Sequence, residues 1–351
     1  MKQLIWILLS IGVAVAAMAF ALWHVDLVQV GRAMAGANYV YLLPYVALLA
    51  VYYALTAFNW ALLLQPVGRF TVRQVAPAMM VGFAGNNLLP MRLGELVRAV
   101  VFARQHSRPT GAVLASLLLE RILDVLTVLV LYVLSLFVLR NVPSAVATGA
   151  RLFALALLPI GAAIGAFLLV PAPFLKLWHV VSVWLPARWR TRGTRLIEGV
   201  LHGLTALRSP TRLAALAGNS LLKWFCSTAS IWLVLQAFHT GASVGVAMVV
   251  LVVTALAIAL PNTPGYVGTL QAAFVIGLSP FGISPDVAFA ASIFHLVANW
   301  VPVTLAGIVS VGVLGLHFSE LRREMEVAEH EVEEADHEAE EAEHKAGEAG
   351  H

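Results

Sequence analysis

The chain has 351 residues, of which 60% are hydrophobic and 12% charged, with a formal net charge of +3. Soluble domains are about 45–50% apolar and about 25% charged, so this composition excludes an ordinary soluble protein and argues against a nucleic-acid partner. The small net charge conceals an asymmetry, because 13 of the 19 acidic residues lie in residues 320–351. The rest of the chain carries the basic excess typical of cytoplasmic loops at a membrane.

Long apolar stretches recur along the chain, and a helix needs roughly 20 apolar residues to cross a hydrocarbon core of ~30 Å. Two of these stretches, 75–104 and 244–280, are interrupted by Pro, Asn and Gly. We therefore predict an all-α polytopic membrane protein with a membrane domain at residues 1–318 and an acidic, histidine-containing tail at 319–351. The uninterrupted stretches are, in chain order, 4–23, 39–64, 112–139, 152–171, 213–239 and 285–316.

The largest basic cluster, between Lys176 and Arg212, sets the predicted orientation, because positively charged loops stay in the cytoplasm. With this cluster in the cytoplasm, the directions of the other spans follow along the chain. The stretch 75–104 then enters and leaves the membrane at the cytoplasmic face, and 244–280 enters and leaves at the opposite face. The prediction is about six full spans plus two inverted re-entrant helix pairs in the cell (inner) membrane, with both termini cytoplasmic. Transporters often place such repeats around a site at the midplane. Eight simple spans with kinks are the alternative.

The first interrupted stretch contains a helix break followed by charged residues. A charge at the bilayer centre costs about 2.5–3.5 kcal/mol, so these residues must be paired or face a cavity. We expect them to contact a ligand or to control its passage, and the alternative is an ion pair that only holds the hairpin together. The candidate residues are Asn86, Asn87, Pro90, Arg92, Gly94, Glu95 and Arg98.

A second charged group lies within the stretch 112–139. Glu120 and Asp124 are four residues apart, and Arg121 can reach Asp124 at a spacing of three. Three charges in one helix require that the helix face the protein interior. Lys223 is near the middle of 213–239 and is predicted either to bind phosphate or to pair with Glu120 or Asp124, the alternative being a lysine that extends to the membrane surface.

The second interrupted stretch carries prolines and glycines but no charge. A helix that begins after Gly265 would present free N–H groups and a positive dipole end, which suits a phosphate, whereas a simple kinked helix is the alternative. His295 and Asn299, further along, are predicted to be packing polar groups. The candidate residues of this second break are Pro261, Asn262, Pro264, Gly265 and Gly268.

Three motifs together resemble the flippase-like membrane domain of the lysylphosphatidylglycerol synthase (multiple peptide resistance factor) family. They are NNLLPMRLGE at 86–95, LERILD at 119–124 and PNTPGYVGT at 261–269, and the similarity extends from about residue 4 to residue 316. The resemblance implies a translocator of aminoacylated phosphatidylglycerol or a related lipid, in a stand-alone form without the aminoacyltransferase domain. The family-type positions are Asn86, Asn87, Pro90, Arg92, Gly94, Glu95, Glu120, Arg121, Asp124, Pro261, Pro264, Gly265 and Gly268.

We therefore predict a lipid translocator of the flippase or scramblase type, which moves a phospholipid or related headgroup between leaflets without catalytic residues, cofactor or metal. The expected partners are phosphate-bearing membrane lipids, and either a second copy of the chain or a cytoplasmic protein at the acidic tail. Two alternatives are an intramembrane enzyme acting on a phospholipid or polyprenyl phosphate, and a non-transporting accessory protein of envelope assembly.

Overall fold

The computed structural model describes residues 15–139, 172–182 and 210–316, apart from residue 24 and the short segments 90–92 and 260–263, together with isolated positions elsewhere. Half of the predicted span at 4–23, most of the span at 152–171 and the tail from residue 319 lie outside the described residues. Every regular element within the described part is helical, which confirms the all-α prediction.

The described α-helices occur in an order that follows the predicted stretches closely. Short 3₁₀ turns at Tyr39–Tyr41, Pro264–Tyr266 and Ser279–Phe281 adjoin them. The α-helices are α1 (Leu27–Ala35), α2 (Leu42–Leu63), α3 (Val72–Leu88), α4 (Gly94–Gln105), α5 (Thr110–Val138), α6 (Ala172–Ser182), α7 (Pro210–Ala237), α8 (Val244–Ala259), α9 (Thr269–Leu278) and α10 (Pro285–Val313).

Three described segments are long and apolar enough to cross a membrane: Tyr39–Leu63, which contains α2, and the helices α5 and α10. Helix α7 has 28 residues but differs in composition, because it carries several buried polar side chains, among them Asn219, Ser220, Lys223 and Thr228. A helix of this kind belongs in the protein interior, where its polar groups find partners. Asn219, for example, donates to the carbonyl oxygen of Leu55 at 2.8 Å.

Helices α3 and α4 fold back on one another as a hairpin. Helix α3 ends at Leu88, and the backbone of the next residue, Leu89, is extended (φ −102°, ψ 144°). Helix α4 then runs back along α3, and glycines lie at the contact between the two helices. A Cβ at Gly82 would lie 2.5 Å from Cβ of Arg98, and a Cβ at Gly94 would overlap the carbonyl oxygen of Gly82. Glycine is therefore required for this close approach of the two backbones.

Helices α8 and α9 form a second hairpin of the same kind. Gly277 on α9 lies against α8, since a Cβ there would be 3.3 Å from Cα of Val250. The described part of the connection contains three residues with positive φ, Gly265 (φ 68°), Tyr266 (φ 62°) and Gly268 (φ 88°), and glycine adopts such a backbone most readily. The chain therefore reverses here too.

The helix packing repeats itself between α2–α5 and α7–α10. Helix α2 packs on its counterpart α7, α3 packs on α10 as α8 packs on α5, and each hairpin packs on its preceding and following helix in the same way. The cross contacts between α2 and α10 and between α7 and α5 are likewise a matched pair. The two sets are therefore structural repeats that surround one common interior.

Candidate functional site

A buried ion pair joins Arg98 of α4, in the first interrupted stretch, to Glu120 of α5, in the second charged group. Nη2 of Arg98 lies 3.0 Å from Oε2 of Glu120, although the angles are not those of a hydrogen bond. Arg98 is only 1% exposed, and its guanidinium carbon lies 3.7 Å from the centre of the Trp60 ring. The indole is itself fixed by a 3.0 Å hydrogen bond from its Nε1 to Oγ of Ser116. Arg98 is thus held in place inside the protein.

Glu95 links Arg98 to a second arginine. Oε2 of Glu95 lies 3.9 Å from Nη1 of Arg98, and Oε1 forms an ion pair with Nη2 of Arg121. Asn86, at the end of the neighbouring helix α3, also donates its amide to Oε1 of Glu95 at 3.4 Å. Glu95 therefore connects the first hairpin to α5.

Asp124 extends the chain of charges to α7. Lys223, which is 1% exposed, places its Nζ 2.5 Å from Oδ1 of Asp124, and the neighbouring Trp224 donates its Nε1–H to the same oxygen at 2.9 Å. Nη1 of Arg121 lies 3.7 Å from Oδ2. The predicted contact of Arg121 with Asp124 is present, and of the two partners proposed for Lys223 the structure selects Asp124.

These contacts form a charge chain in which the signs alternate. Its two end members, Glu120 and Lys223, are buried, whereas Arg121, in the interior of the chain, keeps a side-chain exposure of 45%. Each carboxylate beside Arg121 has a second cation of its own, Arg98 or Lys223. The members of the charge chain are, in order, Glu120, Arg98, Glu95, Arg121, Asp124 and Lys223.

A cavity of about 460 Å³ lies beside the charge chain. It is lined by residues of both repeats, and Arg121 and Asp124 are the lining residues that carry a formal charge. Aromatic and aliphatic side chains make up most of its wall, which is typical of a site for an amphipathic ligand. The aromatic lining residues are Tyr52, Tyr53, Phe83, Trp224, Tyr266 and Trp300.

The two hairpins meet at one wall of this cavity, next to Trp300 of α10. Asn87 donates its Nδ2–H to Oγ1 of Thr304 at 3.0 Å and to the carbonyl oxygen of Trp300 at 3.4 Å. The indole Nε1–H of Trp300 in turn donates to the carbonyl oxygen of Asn87 at 3.4 Å. Gly265 packs on the same indole, since a Cβ there would lie 3.0 Å from Nε1.

The structure places most of the predicted site residues in one region. Glu95, Arg98, Glu120, Arg121, Asp124 and Lys223 form the charge chain, while Asn86, Asn87 and Gly265 line the cavity. Gly94 supports the hairpin, and Pro264 and Gly268 belong to the turn before α9. Pro90, Arg92, Pro261 and Asn262 lie outside the described residues.

The predicted phosphate site at the start of α9 differs in detail from expectation. Helix α9 begins at Thr269 rather than directly after Gly265. The N–H of Gly268 donates to Oε1 of Gln271 at 2.7 Å, so a side chain of the protein already occupies one of the groups assigned to a ligand. The N-terminus of α9 is thus a weaker anion site than the sequence indicated.

Several cavity residues on α2 and α10 were absent from the predicted site. On α2 they are Tyr52 and Tyr53. Tyr53 belongs to an aromatic stripe with Tyr45 and Trp60, spaced by eight and seven residues or about two helical turns each, and this stripe on one face of α2 was the available signal. His295 was expected to be a packing group, and its Nδ1 does lie 3.1 Å from the Tyr45 hydroxyl. His295 and Asn299 also line the cavity.

Long apolar helices around ionised side chains that pair in the interior define the class, a multi-pass membrane protein. The model of the family described as "Lysylphosphatidylglycerol synthase TM region" matches residues 7–307, and the chain belongs to this family, as its three motifs predicted. The chain is also 24% identical over 338 residues to a UPF0104 membrane protein of Methanothermobacter thermautotrophicus, a match covering 90% of this chain and 96% of that protein.

Proposed function

We propose that this protein is a lipid translocator, which moves a phosphate-bearing lipid headgroup between leaflets through the cavity beside the charge chain. The observation that carries the proposal is the position of Arg121. It lines the cavity, is 45% exposed, and stands between two carboxylates that have other cations. A guanidinium so placed can accept a phosphate in a bidentate geometry.

Arg121 can turn to a ligand without leaving an unpaired carboxylate behind. Glu95 keeps Arg98 at 3.9 Å and the amide of Asn86 at 3.4 Å. Asp124 keeps Lys223 at 2.5 Å and Trp224 at 2.9 Å. An unpaired buried charge costs several kcal/mol, and this double pairing avoids that cost. Arg98 and Lys223 are both buried, so Arg121 is the described cation best suited to the ligand.

The cavity wall suits the remainder of a lipid headgroup. Apart from Arg121 and Asp124, its lining is aromatic, aliphatic or neutral polar, which allows the glycerol region to sit beside the phosphate while the acyl chains stay in the bilayer. Charged groups within a membrane that face a cavity commonly mark a substrate pathway.

The proposed arrangement is an inverted repeat with two re-entrant hairpins in the cell (inner or cytoplasmic) membrane, with both termini in the cytoplasm. Helices α4 and α9 have 12 and 10 residues, or about 18 and 15 Å at 1.5 Å per residue. Neither length crosses a core of ~30 Å. The matched packing of α2–α5 and α7–α10 supports the same arrangement, in which half-helices meet near the midplane.

Cysteine accessibility tests this topology. Ser107 follows α4 and Ser279 follows α9, and both are exposed. In a Cys226→Ser background, we expect Ser107→Cys to react with an impermeant maleimide only from the cytoplasmic side and Ser279→Cys only from the other side. If Ser107→Cys and a cysteine at Arg73 react from opposite sides, the first hairpin is not re-entrant.

Leaflet exchange in proteoliposomes tests the function. Phospholipids with a fluorescent acyl chain and anionic, zwitterionic or aminoacyl headgroups would be bleached from outside with dithionite. We expect protein-dependent exchange of at least one lipid, reduced about tenfold or more by Arg121→Gln, since a hydrogen bond to a charged group contributes about 1.5–3 kcal/mol. Arg212→Gln, at an exposed arginine of α7, is the matched control. Exchange no faster than in empty vesicles for all three lipids would refute the proposal.

Mass spectrometry of the same vesicles separates transport from chemistry. A translocator leaves the lipid composition unchanged during exchange. A new lipid species that accumulates with time and disappears with Glu95→Gln would instead favour an intramembrane enzyme.

A further inference from the structure

Two helix–helix contacts, called seams below, occupy equivalent places in the two repeats but differ in how tightly their helices pack. We define the open seam as the contact of α5 with α8, and the closed seam as the contact of α3 with α10, its counterpart in the matched packing. Helices of both seams line the cavity. The difference between them is the observation from which the inference starts.

At the open seam, a side chain from each of the two helices lines the cavity and is also exposed. Val125 of α5 is 40% exposed and Leu256 of α8 is 37% exposed, and both also line the cavity. Further along, the same helices are packed, with Val128, Tyr132 and Val252 in one buried cluster. The two helices therefore separate toward Val125 and Leu256.

The closed seam is sealed over the corresponding length. A Cβ on Gly307 of α10 would overlap Cβ of Ala84 on α3 and lie 2.9 Å from the carbonyl oxygen of Met80, so the helices touch at their backbones. One turn away, Asn87 is tied to Trp300 and Thr304 by the three hydrogen bonds described above. The cavity ends at this wall.

Backbone contact through glycine is typical of helix pairs that close tightly in membranes. The polar tie beside it is weaker, because two of its three hydrogen bonds measure 3.4 Å, beyond the usual range for N–H···O bonds. This seam is held by shape, by one hydrogen bond of 3.0 Å and by two long hydrogen bonds, so polar contacts contribute little to keeping it closed. Helix pairs with two discrete arrangements are the elements on which conformational switches depend.

We infer that the two seams are alternating lateral gates for the acyl chains of the lipid. In the structure described here, the chains extend into the bilayer through the open seam, past Val125 and Leu256, while the headgroup sits at Arg121. In the other state the closed seam parts at Gly307 and Trp300, and the open seam packs. This inference rests on the proposed function and adds to it the path of the lipid and the residues that close it.

Two cysteines report the two seams in a Cys226→Ser background. Leu256→Cys lies at the open seam, and Val303→Cys lines the cavity at the closed seam, where Val303 is 3% exposed. The rate of reaction with N-ethylmaleimide in proteoliposomes is the measurement. We expect Leu256→Cys to react about tenfold faster than Val303→Cys in the otherwise unchanged protein, a ratio that corresponds to about 1.4 kcal/mol between the two states.

Gly307→Ala is the wedge that tests alternation, and Gly312→Ala on the same helix is its control, because a Cβ at Gly312 meets nothing within 4 Å. We expect Gly307→Ala to raise the reactivity of Val303→Cys about tenfold and to lower that of Leu256→Cys. Gly312→Ala should leave both rates within about twofold of the parent. Trp300→Phe keeps an aromatic ring but removes the N–H that donates to the carbonyl oxygen of Asn87. It should change both rates in the same directions as Gly307→Ala.

Opposite changes at the two cysteines, found with Gly307→Ala or Trp300→Phe and not with Gly312→Ala, would support the gates. A rise at both positions is general loosening and overturns the inference, as does a change at one seam alone or no change at either. Lipid exchange measured on the same vesicles keeps the two proposals apart. Alternating reactivity without lipid exchange would show that the two seams alternate but would refute the translocator, and with it the passage of acyl chains through the seams.

Discussion

The pair of Asp124 with Lys223 offers a sharp test of the charge chain, because its two members differ in what they keep when the other is removed. In Asp124→Asn, the ammonium of Lys223 stays buried at 1% exposure without the carboxylate with which it pairs in the described structure. An uncompensated buried charge costs about 3–5 kcal/mol. In Lys223→Met, Asp124 keeps Trp224 at 2.9 Å and Arg121 at 3.7 Å. We expect this loss to be about 1–3 kcal/mol.

Equilibrium unfolding in mixed micelles with increasing SDS, followed by far-ultraviolet circular dichroism, gives the two free energies of unfolding. The double variant Asp124→Asn/Lys223→Met replaces the ion pair by neutral groups, which is often close to neutral for stability. Its loss should therefore be smaller than the sum of the single losses by about 2 kcal/mol or more. Arg212→Met, at an exposed position of the same helix, should change stability by no more than about 0.5 kcal/mol.

Two results would refute the reasoning about this pair. If Asp124→Asn is no more destabilising than Lys223→Met, then Trp224 and Arg121 do not serve as reserve partners. If the losses simply add in the double variant, then the 2.5 Å contact of the two side chains contributes nothing to the folded state.

Three further tests address separate parts of the site by the same unfolding measurement. Arg121→Gln should cost less than about 1 kcal/mol because its partners keep other cations, whereas Arg98→Gln should cost about 3 kcal/mol or more because it leaves the buried carboxylate of Glu120 without its cation; equal losses would contradict the proposed difference between the two arginines. Gly94→Ala should cost about 4 kcal/mol or more, since its Cβ would overlap a carbonyl oxygen across the hairpin, and Gly111→Ala, where the space is open, should lie between neutral and about 1 kcal/mol stabilising. Trp60→Phe removes the 3.0 Å hydrogen bond to Oγ of the α5 serine and weakens the contact of the ring with the guanidinium, for an expected loss of about 1–2 kcal/mol; no loss would show that the indole does not hold that arginine.

The sequence was informative about the helices because hydrophobic length and helix-breaking residues are local properties. The predicted stretch 112–139 became Thr110–Val138. The break was predicted to begin at Asn86, whereas α3 continues to Leu88 and α4 begins at Gly94. The contact of Arg121 with Asp124 was predictable for the same reason, since residues three apart on one helix are neighbours whatever surrounds them.

The contacts between helices were harder to predict because the rotation of each helix about its axis is set by packing. Glu120 and Asp124 share a face by spacing, yet Glu120 pairs with Arg98 on α4 and Asp124 pairs with Lys223 on α7. Nothing in the spacing places Trp60 over the guanidinium of Arg98. The start of α9 was predicted too early for a related reason, since Gln271 occupies a backbone N–H that composition alone leaves free.

The position of Arg121 in the charge chain determines how the proposed ligand would act on the two halves of the protein. On one side of it lie Glu95 and Arg98 of the first hairpin, and on the other lies Lys223 of α7, in the second repeat. A ligand that pairs with this guanidinium would divide the remaining charges into two groups. Glu120, Arg98 and Glu95 have a net negative charge, whereas Asp124 and Lys223 together are neutral. Ligand binding would then affect both repeats at once, because it would interrupt the electrostatic interaction between the first hairpin and α7 before any helix has moved.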